Sequence, residues 1–426
     1  MGNRARAMTA GCTRREAVRL LGASGASLIL AGCGSVQPET NPVAQARTRI
    51  VINDVSAPTS AAAQAVTRAP ESSRLDQLLS SMTLEQKVAQ LFFVTPEQLT
   101  GADVATVAGD LTRASLEELP VGGIVYFSQN ITGDEQLRSL VAGTVELSRA
   151  AGAGIPAFIG VDEEGGPLVA RVANSGYFDV EQFPNMANVG ASGDETHAAR
   201  VGASIGGYLH DLGFTVDFAP DADVLTNPDN TAIGKRSFGS DPELVARMVS
   251  AEVKAMEDAG VLPCVKHFPG HGDTVADSHS GEAVSTRTLE QLRACEYLPF
   301  SAAIGAGVPF VMVGHIKTPN AAADDLPASL SEFMIGKTLR EELGFEGVII
   351  TDSFRMGAIS QYYEPGDAAV RYLAAGGDMV LMPEDLRAAY EGVLAAVAGG
   401  AISEARIDES VRRVLAAKQA AGMLDA

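Results

Sequence analysis

Short apolar runs alternate with longer amphipathic stretches along the chain from residue 73 onward. Eight runs contain four or five mostly apolar residues: 91–94, 123–127, 157–161, 215–219, 262–266, 310–313, 348–351 and 379–382. Most of them are continuous rather than alternating with polar positions, which is typical of strands buried on both faces. Between them, apolar residues recur at helical spacing, as in 243–259, 289–305 and 331–343. The pattern therefore predicts parallel βαβ units.

Eight such units predict a closed (β/α)8 barrel of the TIM type, with an open doubly wound sheet as the alternative. No Gly-x-Gly-x-x-Gly follows the first run, which weakens the open-sheet alternative. Thr83 to Gln86 form a capping box that begins a helix, and further helices are predicted over 386–398 and 407–421. We expect one α/β catalytic domain over 73–426, without a second α/β sandwich domain.

The first 33 residues have the composition of an export signal. Five arginines and only one acid precede residue 20, and an apolar stretch over 20–31 leads into Leu30-Ala31-Gly32-Cys33. A basic start, a short apolar core and small residues at the end are typical of a secretory signal. The last four residues resemble a bacterial lipobox, and the segment around Arg14 and Arg15 resembles a twin-arginine motif.

From these features we expect a signal peptide over 1–32, lipidation at Cys33 and a flexible tether over 33–72. The tether is rich in Ala, Pro, Ser, Thr and Gln and lacks sustained periodicity. The protein would be exported and held at the outer face of a bacterial cell membrane by its lipid anchor alone, or else secreted.

The amino-acid composition limits the kinds of partner that the protein can bind. The 426 residues include 32 basic and 53 acidic side chains, for a net charge of −21. Such a surface repels phosphate backbones, so a nucleic-acid partner is not expected. Four cysteines are too few for a disulfide scaffold, and a hydrophobic content of 46% is enough for a large core. We expect a soluble catalytic body that acts as a monomer.

Ionisable residues follow four of the eight apolar runs. Asp162 follows the third run, Lys266 and His267 end the fifth, His315 lies just after the sixth and Asp352 follows the seventh. In a (β/α)8 barrel the C-terminal ends of the strands carry the active site. We therefore expect these side chains to converge, with His315 either lining the pocket or supporting it.

The densest polar segment runs from Lys266 to Thr274 and continues to Asp277-Ser278-His279. It allows two chemical interpretations. Either His267, His271, Asp273 and His279 bind a metal ion, or the segment binds a sugar and transfers a proton. Pro269 and the neighbouring glycines disfavour the helix that a His-x-x-x-His metal site would need. The second interpretation is favoured, with no metal ion and no cofactor.

Together these motifs resemble the bacterial β-N-acetylhexosaminidases of glycoside hydrolase family 3. The resemblance rests on segments that occur in the family's order: 161–166, 217–220, 233–242, 266–274, 277–279 and 351–353. It implies a retaining exo-glycosidase that removes terminal, non-reducing β-linked N-acetylglucosamine. Plausible substrates are cell-wall or peptidoglycan fragments.

The resemblance also implies roles for particular residues. Asp352 would be the nucleophile, and His279, oriented by Asp277, would be the acid/base in place of the usual second carboxylate. An imidazole titrates near neutrality and is suited to that task. The implied sugar-binding residues are Asp162, Arg236, Lys266 and His267. Arg171 is a further sugar-binding candidate, although it stands one residue later than the family pattern places its arginine.

Several alternatives remain open at this point. The chain could be a β-glucosidase-type hydrolase of the same family, whose members usually draw the acid/base from a second domain. It could also be a catalytically silent, glycan-binding lipoprotein. Two mechanistic alternatives are substrate-assisted catalysis supported by Asp162 and Glu163, and phosphorolysis, because an imidazole tolerates an anionic acceptor better than a carboxylate does.

Overall fold

The protein is a closed eight-stranded parallel barrel in the computed structural model, which describes residues 72–274 and 281–424. The barrel strands are β1 Phe92–Val94, β2 Gly123–Val125, β3 Phe158–Val161, β4 Val216–Asp217, β5 Leu262–Phe268, β6 Phe310–Val313, β7 Val348–Thr351 and β8 Val380–Leu381. Each pairs in parallel with the next, and β8 pairs with β1. A parallel bridge between Ile350 and Met379 joins β7 to β8. The predicted (β/α)8 barrel is confirmed, and the open-sheet alternative is wrong.

Seven of the eight predicted apolar runs contain a whole barrel strand, the fifth strand extends two residues beyond its run to Phe268, and every residue of the barrel strands is buried. Aromatic rings fill the barrel interior, with Phe93 and Phe158 stacked at 6.3 Å between centroids and Phe218 edge-on to Phe93 at 5.3 Å. Gly160 is required beside them, because a Cβ there would lie 2.7 Å from the Phe93 ring. A wide ring on one strand is thus accommodated by a glycine on another.

Helices alternate with the strands. The α-helices are α1 Ser72–Ser81, α2 Leu84–Ala89, α3 Pro96–Thr100, α4 Asp110–Glu118, α5 Asp134–Ala150, α6 Met186–Gly190, α7 Glu195–Leu212, α8 Pro242–Asp258, α9 Leu289–Ala294, α10 Tyr297–Ala306, α11 Gly357–Ser360, α12 Pro365–Ala374, α13 Leu386–Ala398 and α14 Glu404–Ala420. The predicted capping box is present at the start of α2, where the Thr83 and Gln86 side chains each accept from the other's backbone N–H.

Two short pairs of strands lie outside the barrel. Glu163–Gly165 pairs antiparallel with Val169–Ala170, directly after β3. Ala283–Val284 pairs in parallel with Ile316–Lys317, in the segments that follow β5 and β6. Both pairs follow the C-terminal ends of barrel strands, the end at which (β/α)8 barrels carry their chemistry.

Two predicted helices differ from the structure. The helix expected over 289–305 is divided into α9 and α10 at Cys295 and Glu296, and Glu296 is fully buried. The helix expected over 331–343 is present as a π-helical segment, Phe333–Glu342. Apolar spacing alone does not distinguish these forms, because both keep one face toward the core.

The predicted signal peptide, Cys33 and nearly all of the predicted tether lie outside the described residues, as do Asp277 and His279. Within 72–274 and 281–424, no helix is both long enough and apolar enough to span a bilayer.

Candidate active site

A cavity of about 420 Å³ opens at the C-terminal ends of the barrel strands. All six predicted site residues that the structure describes line this cavity: Asp162, Arg171, Arg236, Lys266, His267 and Asp352. A larger groove of about 770 Å³ lies between α5 and the end of α7, and none of these six residues lines it. The structure thus brings the predicted residues together, while their individual roles stay predictions.

Lys266 lies at the centre of a buried ion-pair network. Its Nζ is 2.6 Å from Glu164 Oε1 and 2.9 Å from Asp162 Oδ1. Arg236 holds the same Glu164 in a two-point contact, with Nε 2.8 Å and Nη2 2.7 Å from its two oxygens. Such bidentate pairs fix geometry as well as charge. The network therefore presents rigid donors and acceptors to the cavity.

The pKa values in this network follow from burial and charge. Burial alone would raise the pKa of Glu164, but the positive charges of Arg236 and Lys266 outweigh it and lower that pKa. Burial likewise opposes the charged form of Lys266, but Asp162 and Glu164 raise its pKa. Both partners are therefore charged at neutral pH.

His267 is held by Asp223, a fully buried carboxylate. The His267 Nδ1 lies 2.7 Å from Asp223 Oδ2. Burial acts against a charged imidazole, but the Asp223 charge and hydrogen bond raise the pKa of His267. Despite its own burial, Asp223 has its pKa lowered to about 2 by His267. This pair fixes the ring and favours its protonated form.

Asp352 follows β7 and is held by its neighbours. Its backbone N–H donates to Val313 O at 2.9 Å, and its Oδ1 accepts from Ser353 N at 2.7 Å. His315 lies behind this turn, with Nε2 2.9 Å from Ser353 O and Nδ1 2.8 Å from Ser329 Oγ. Of the two roles left open for His315, these contacts favour support of the Asp352 turn over lining the pocket.

Glu163 does not share the cavity with Asp162. Its carboxylate accepts from the backbone N–H groups of Val172 and Ala173 and from the Tyr208 hydroxyl at 2.6 Å. Burial raises its pKa. The carboxylate pair expected for substrate-assisted catalysis, Asp162 with Glu163, is therefore not assembled at the cavity.

The polar loop after β5 follows a fixed path on both sides of residues 275–280. A Cβ on Gly272 would lie 1.9 Å from Val224 O, so this position excludes any larger residue. Asp273 accepts from Ser285 Oγ at 2.9 Å and lies 3.3 Å from Arg287 Nε. These contacts join the two chain segments that flank the predicted acid/base residues.

The metal interpretation can be compared with the structure only in part, because His279 lies outside the described residues. His267 lies with Asp221 and Asp223, with ligand atoms within 4.8 Å of one another, whereas the Asp273 carboxylate points to Ser285 and Arg287. Arg236 is 3.6 Å from Asp221 Oδ2. Burial and the nearby Asp223 charge raise the pKa of Asp221 to about 8. A cation here would displace the His267 proton and meet a guanidinium, so this set fits an ion-pair network better.

Several residues of the site could not be assigned from the sequence. Glu164 and Asp223 carry the ion pairs described above, and Phe127 and Arg355 also line the cavity. Asp223 follows the motif 217–220 by only three residues, and Glu164 lies inside the motif 161–166. Their carboxylates were visible next to recognised motifs, but their partners are 44 and 72 residues away in sequence.

Comparisons with known proteins agree with this geometry. Residues 83–417 match the family described as glycosyl hydrolase family 3, N-terminal domain. The chain is 35% identical over 301 residues to β-hexosaminidase A of Pseudoalteromonas piscicida, covering 67% of this chain and 49% of that protein. It is 32% identical over 314 residues to β-hexosaminidase LpqI of Mycobacterium tuberculosis, covering 72% and 78%.

A solved structure is similar as well. A glycoside hydrolase family 3 β-N-acetylglucosaminidase from Paenibacillus sp. superposes with a TM-score of 0.75 and 41% identity, covering 81% of this chain and 64% of that one. The matched part thus spans about half of the Pseudoalteromonas protein (49%) and under two thirds of the Paenibacillus chain (64%).

Proposed function

The chain belongs to glycosyl hydrolase family 3, and from that premise we propose that it is a retaining β-N-acetylhexosaminidase. It would release terminal, non-reducing β-linked N-acetylglucosamine, with cell-wall or peptidoglycan fragments as the natural source. The observation that carries the proposal is the placement of Asp352 in one cavity with the Asp162–Lys266–Glu164–Arg236 network.

In the first step a carboxylate oxygen of Asp352 attacks the anomeric carbon, and the bond to the leaving-group oxygen breaks. A proton from His279, oriented by Asp277, would go to that oxygen. The buried network would hold the sugar hydroxyls with Asp162 and Lys266, and the protonated His267 would donate to the sugar. Such bonds accelerate the reaction where they strengthen toward the oxocarbenium-like transition state.

In the second step water attacks the glycosyl-Asp352 ester from the side that the leaving group vacated. His279 takes the proton from water, the bond between the sugar and Asp352 breaks, and the carboxylate is restored with the β configuration retained. Asp277 and His279 lie outside the described residues, so their roles are proposed from the sequence motif.

The proposal is tested with matched 4-nitrophenyl β-glycosides, the N-acetylglucosaminide against the glucoside. We expect the purified protein to favour the N-acetylglucosaminide and Asp352→Asn to lose about 10⁴-fold or more in kcat. A 5-fluoro N-acetylglucosaminyl fluoride should label Asp352. The control is Asp367→Asn, which removes a carboxylate from an exposed ion pair on α12. Label on another residue, or a preference for glucoside, would contradict the proposal.

We also propose that the protein is an exported lipoprotein anchored through Cys33. The proposal rests on the basic start, the short apolar core and the Leu30–Cys33 motif. Growth of expressing cells with radiolabelled palmitate should label the wild type but not Cys33→Ser. Equal labelling of both proteins, or retention of residues 1–32 in the mature protein, would contradict it.

A further inference from the structure

Arg236 and Arg171 both line the cavity, but they are held in different ways. The Arg236 guanidinium is fixed at its tip, because its Nε and Nη2 donate to the two oxygens of Glu164 at 2.8 and 2.7 Å. The Arg171 guanidinium forms no hydrogen bond or ion pair within 72–274 and 281–424. Its central carbon lies 5.6 Å from the centroid of the Phe127 ring, a cation–π contact that sets no two-point geometry. The place of this guanidinium therefore depends on where the backbone holds residue 171.

Arg171 directly follows a very short hairpin. The two strands of the hairpin, Glu163–Gly165 and Val169–Ala170, have three and two residues, and their pairing shifts register between Glu163 and Gly165. A two-stranded hairpin is at best marginally stable by itself. Contacts from outside the strand pairing are therefore needed to fix the backbone at Arg171.

Glu163 supplies such contacts from the start of the hairpin. Its Oε2 accepts from the backbone N–H of Val172 at 2.8 Å, and its Oε1 accepts from that of Ala173 at 2.9 Å. These are the two residues that follow Arg171, and Glu163 is fully buried, so water does not compete for the bonds. Because one side chain holds two neighbouring peptide groups, the backbone at residue 171 has little freedom to move.

Glu163 is in turn tied to two elements of the barrel. Its backbone N–H donates to Asp217 Oδ1 at 2.9 Å, and Asp217 is the last residue of β4. The hydroxyl of Tyr208, on α7, donates to Glu163 Oε1 at 2.6 Å. A continuous series of hydrogen bonds thus runs from β4 and α7 through Glu163 to the backbone beside Arg171.

We propose that Glu163 and Tyr208 are positioning residues that fix the backbone of Arg171 and so hold its guanidinium at the sugar. Neither of them lines the cavity, so they would act on the substrate through Arg171. The inference rests on the proposed glycosidase function and on Arg171 as one of its sugar-binding residues.

The test is a double-mutant cycle on the hydrolysis of 4-nitrophenyl N-acetyl-β-glucosaminide. It compares the wild type, Glu163→Gln, Arg171→Met and the variant that carries both substitutions. Glutamine keeps the size of the side chain, but its NH₂ group cannot accept from a backbone N–H, so one of the bonds beside Arg171 is lost. A residue that acts only through Arg171 should have no effect of its own once the guanidinium is gone.

We expect kcat/KM to fall by about tenfold in each single variant, mainly through a higher KM. The double variant should match Arg171→Met within about twofold. Tyr208→Phe, which leaves both backbone bonds to Glu163 in place, should lower kcat/KM by about threefold, and only while Arg171 is present. The matched controls are Glu118→Gln, in an exposed ion pair at the end of α4, and Tyr390→Phe on α13, whose hydroxyl makes a 3.4 Å contact; neither should change kcat/KM.

Urea unfolding of every variant separates positioning from a loss of stability. If Glu163→Gln lowers kcat/KM by the same factor with and without Arg171, it acts by another route and the inference is wrong. The inference is also wrong if Arg171→Met leaves kcat/KM unchanged. If Glu163→Gln does not fold, the cycle of Tyr208→Phe with Arg171→Met applies the same criterion. In all of these cases the proposed function stands as long as the wild type hydrolyses the N-acetylglucosaminide; if it does not, the proposed function fails and the inference falls with it.

Discussion

The substitution Asp223→Asn removes a buried charge from the site while keeping the size of the side chain. Asp223 is fully buried, and its Oδ2 lies 2.7 Å from His267 Nδ1. Asparagine keeps one acceptor oxygen but can place an NH₂ group against the protonated ring, so that two donors face each other. Burial of the ring remains and the Asp223 charge is gone, so we expect the pKa of His267 to fall below its ordinary value of 6.5.

The expected loss of stability comes from removing one partner of a buried ion pair and leaving the other in place. Removing one partner of such a pair destabilises a protein by 3–5 kcal/mol, and asparagine retains an acceptor, so we expect a loss of about 3 kcal/mol. If His267 donates a charge-assisted hydrogen bond to the sugar, kcat/KM at pH 6 should fall by about ten- to a hundredfold.

The two pKa shifts set the pH range of the stability difference. The pKa of Asp223 is lowered from 3.8 to about 2, so its contribution is present above pH 3.8 and is lost as the pH falls toward 2. The pKa of His267 is raised above 6.5, so its contribution is present below that value and is lost as the pH rises through the raised pKa. The wild type should therefore exceed Asp223→Asn most clearly between about pH 4 and pH 6.5.

Two measurements check this reasoning. Histidine-selective ¹H–¹⁵N NMR gives the pKa of His267, and urea unfolding at several pH values gives the free energy of unfolding. Asp134→Asn is the matched control, because it makes the same substitution in an exposed i,i+4 pair with Arg138 and should cost at most about 0.5 kcal/mol. The reasoning is refuted if His267 of the wild type titrates below 6.5, or if the two variants lose equal stability.

Three further predictions concern other parts of the barrel. Burial lowers the pKa of Lys418 well below 10.5, so above the lowered pKa the unfolded chain binds a proton that the folded protein does not. The free energy of unfolding of the wild type should therefore rise with pH more steeply than that of Lys418→Met, by up to about 1.4 kcal/mol per pH unit. Urea unfolding at several pH values measures both slopes. Gly272→Ala should destabilise by about 1–3 kcal/mol, whereas Gly281→Ala, with open space around its Cβ, should cost much less; equal urea midpoints would contradict this. Arg287 contacts Asp273, beside the segment that carries the proposed acid/base. Arg287→Met should therefore lower kcat/KM more for an alkyl than for a nitrophenyl N-acetylglucosaminide, because only the alkyl leaving group needs full protonation. Arg293→Met, on the exposed end of α9, is the control.

The barrel could be predicted from sequence because each of its strands is buried on both faces. A strand such as Val348–Thr351 then appears as a continuous apolar run that needs no partner to be recognised. The break between α9 and α10 could not be predicted in this way. Glu296, at the break, lies beneath Gly270, where a Cβ would come within 2.6 Å of Glu296 Cγ, and no local pattern in the sequence records that contact.

Part of the site could be predicted, because several of its residues lie at the C-terminal ends of barrel strands. Asp162 and Asp352 directly follow barrel strands, and Lys266 and His267 are among the last three residues of β5. The barrel brings such positions together whatever lies between them. Asp223 and Glu164 were not assigned, because their importance comes from their distant partners His267 and Arg236. A carboxylate in a loop has the same sequence signal whether it faces solvent or a buried cation.

Most of the buried charges around the cavity are arranged in ion pairs. Three positive and three negative groups are paired: Lys266, Arg236 and His267 with Glu164, Asp162 and Asp223. Four further buried carboxyl groups have raised pKa values, with burial as the leading cause: Glu163, Asp217, Asp221 and Glu252. A raised pKa favours the neutral form of these groups, which adds a dipole without adding net charge. Positive charge that develops on a sugar at this site would then meet the Asp352 carboxylate together with these fixed ion pairs and dipoles. Such fixed polarity can stabilise a transition state without reorganisation during the reaction.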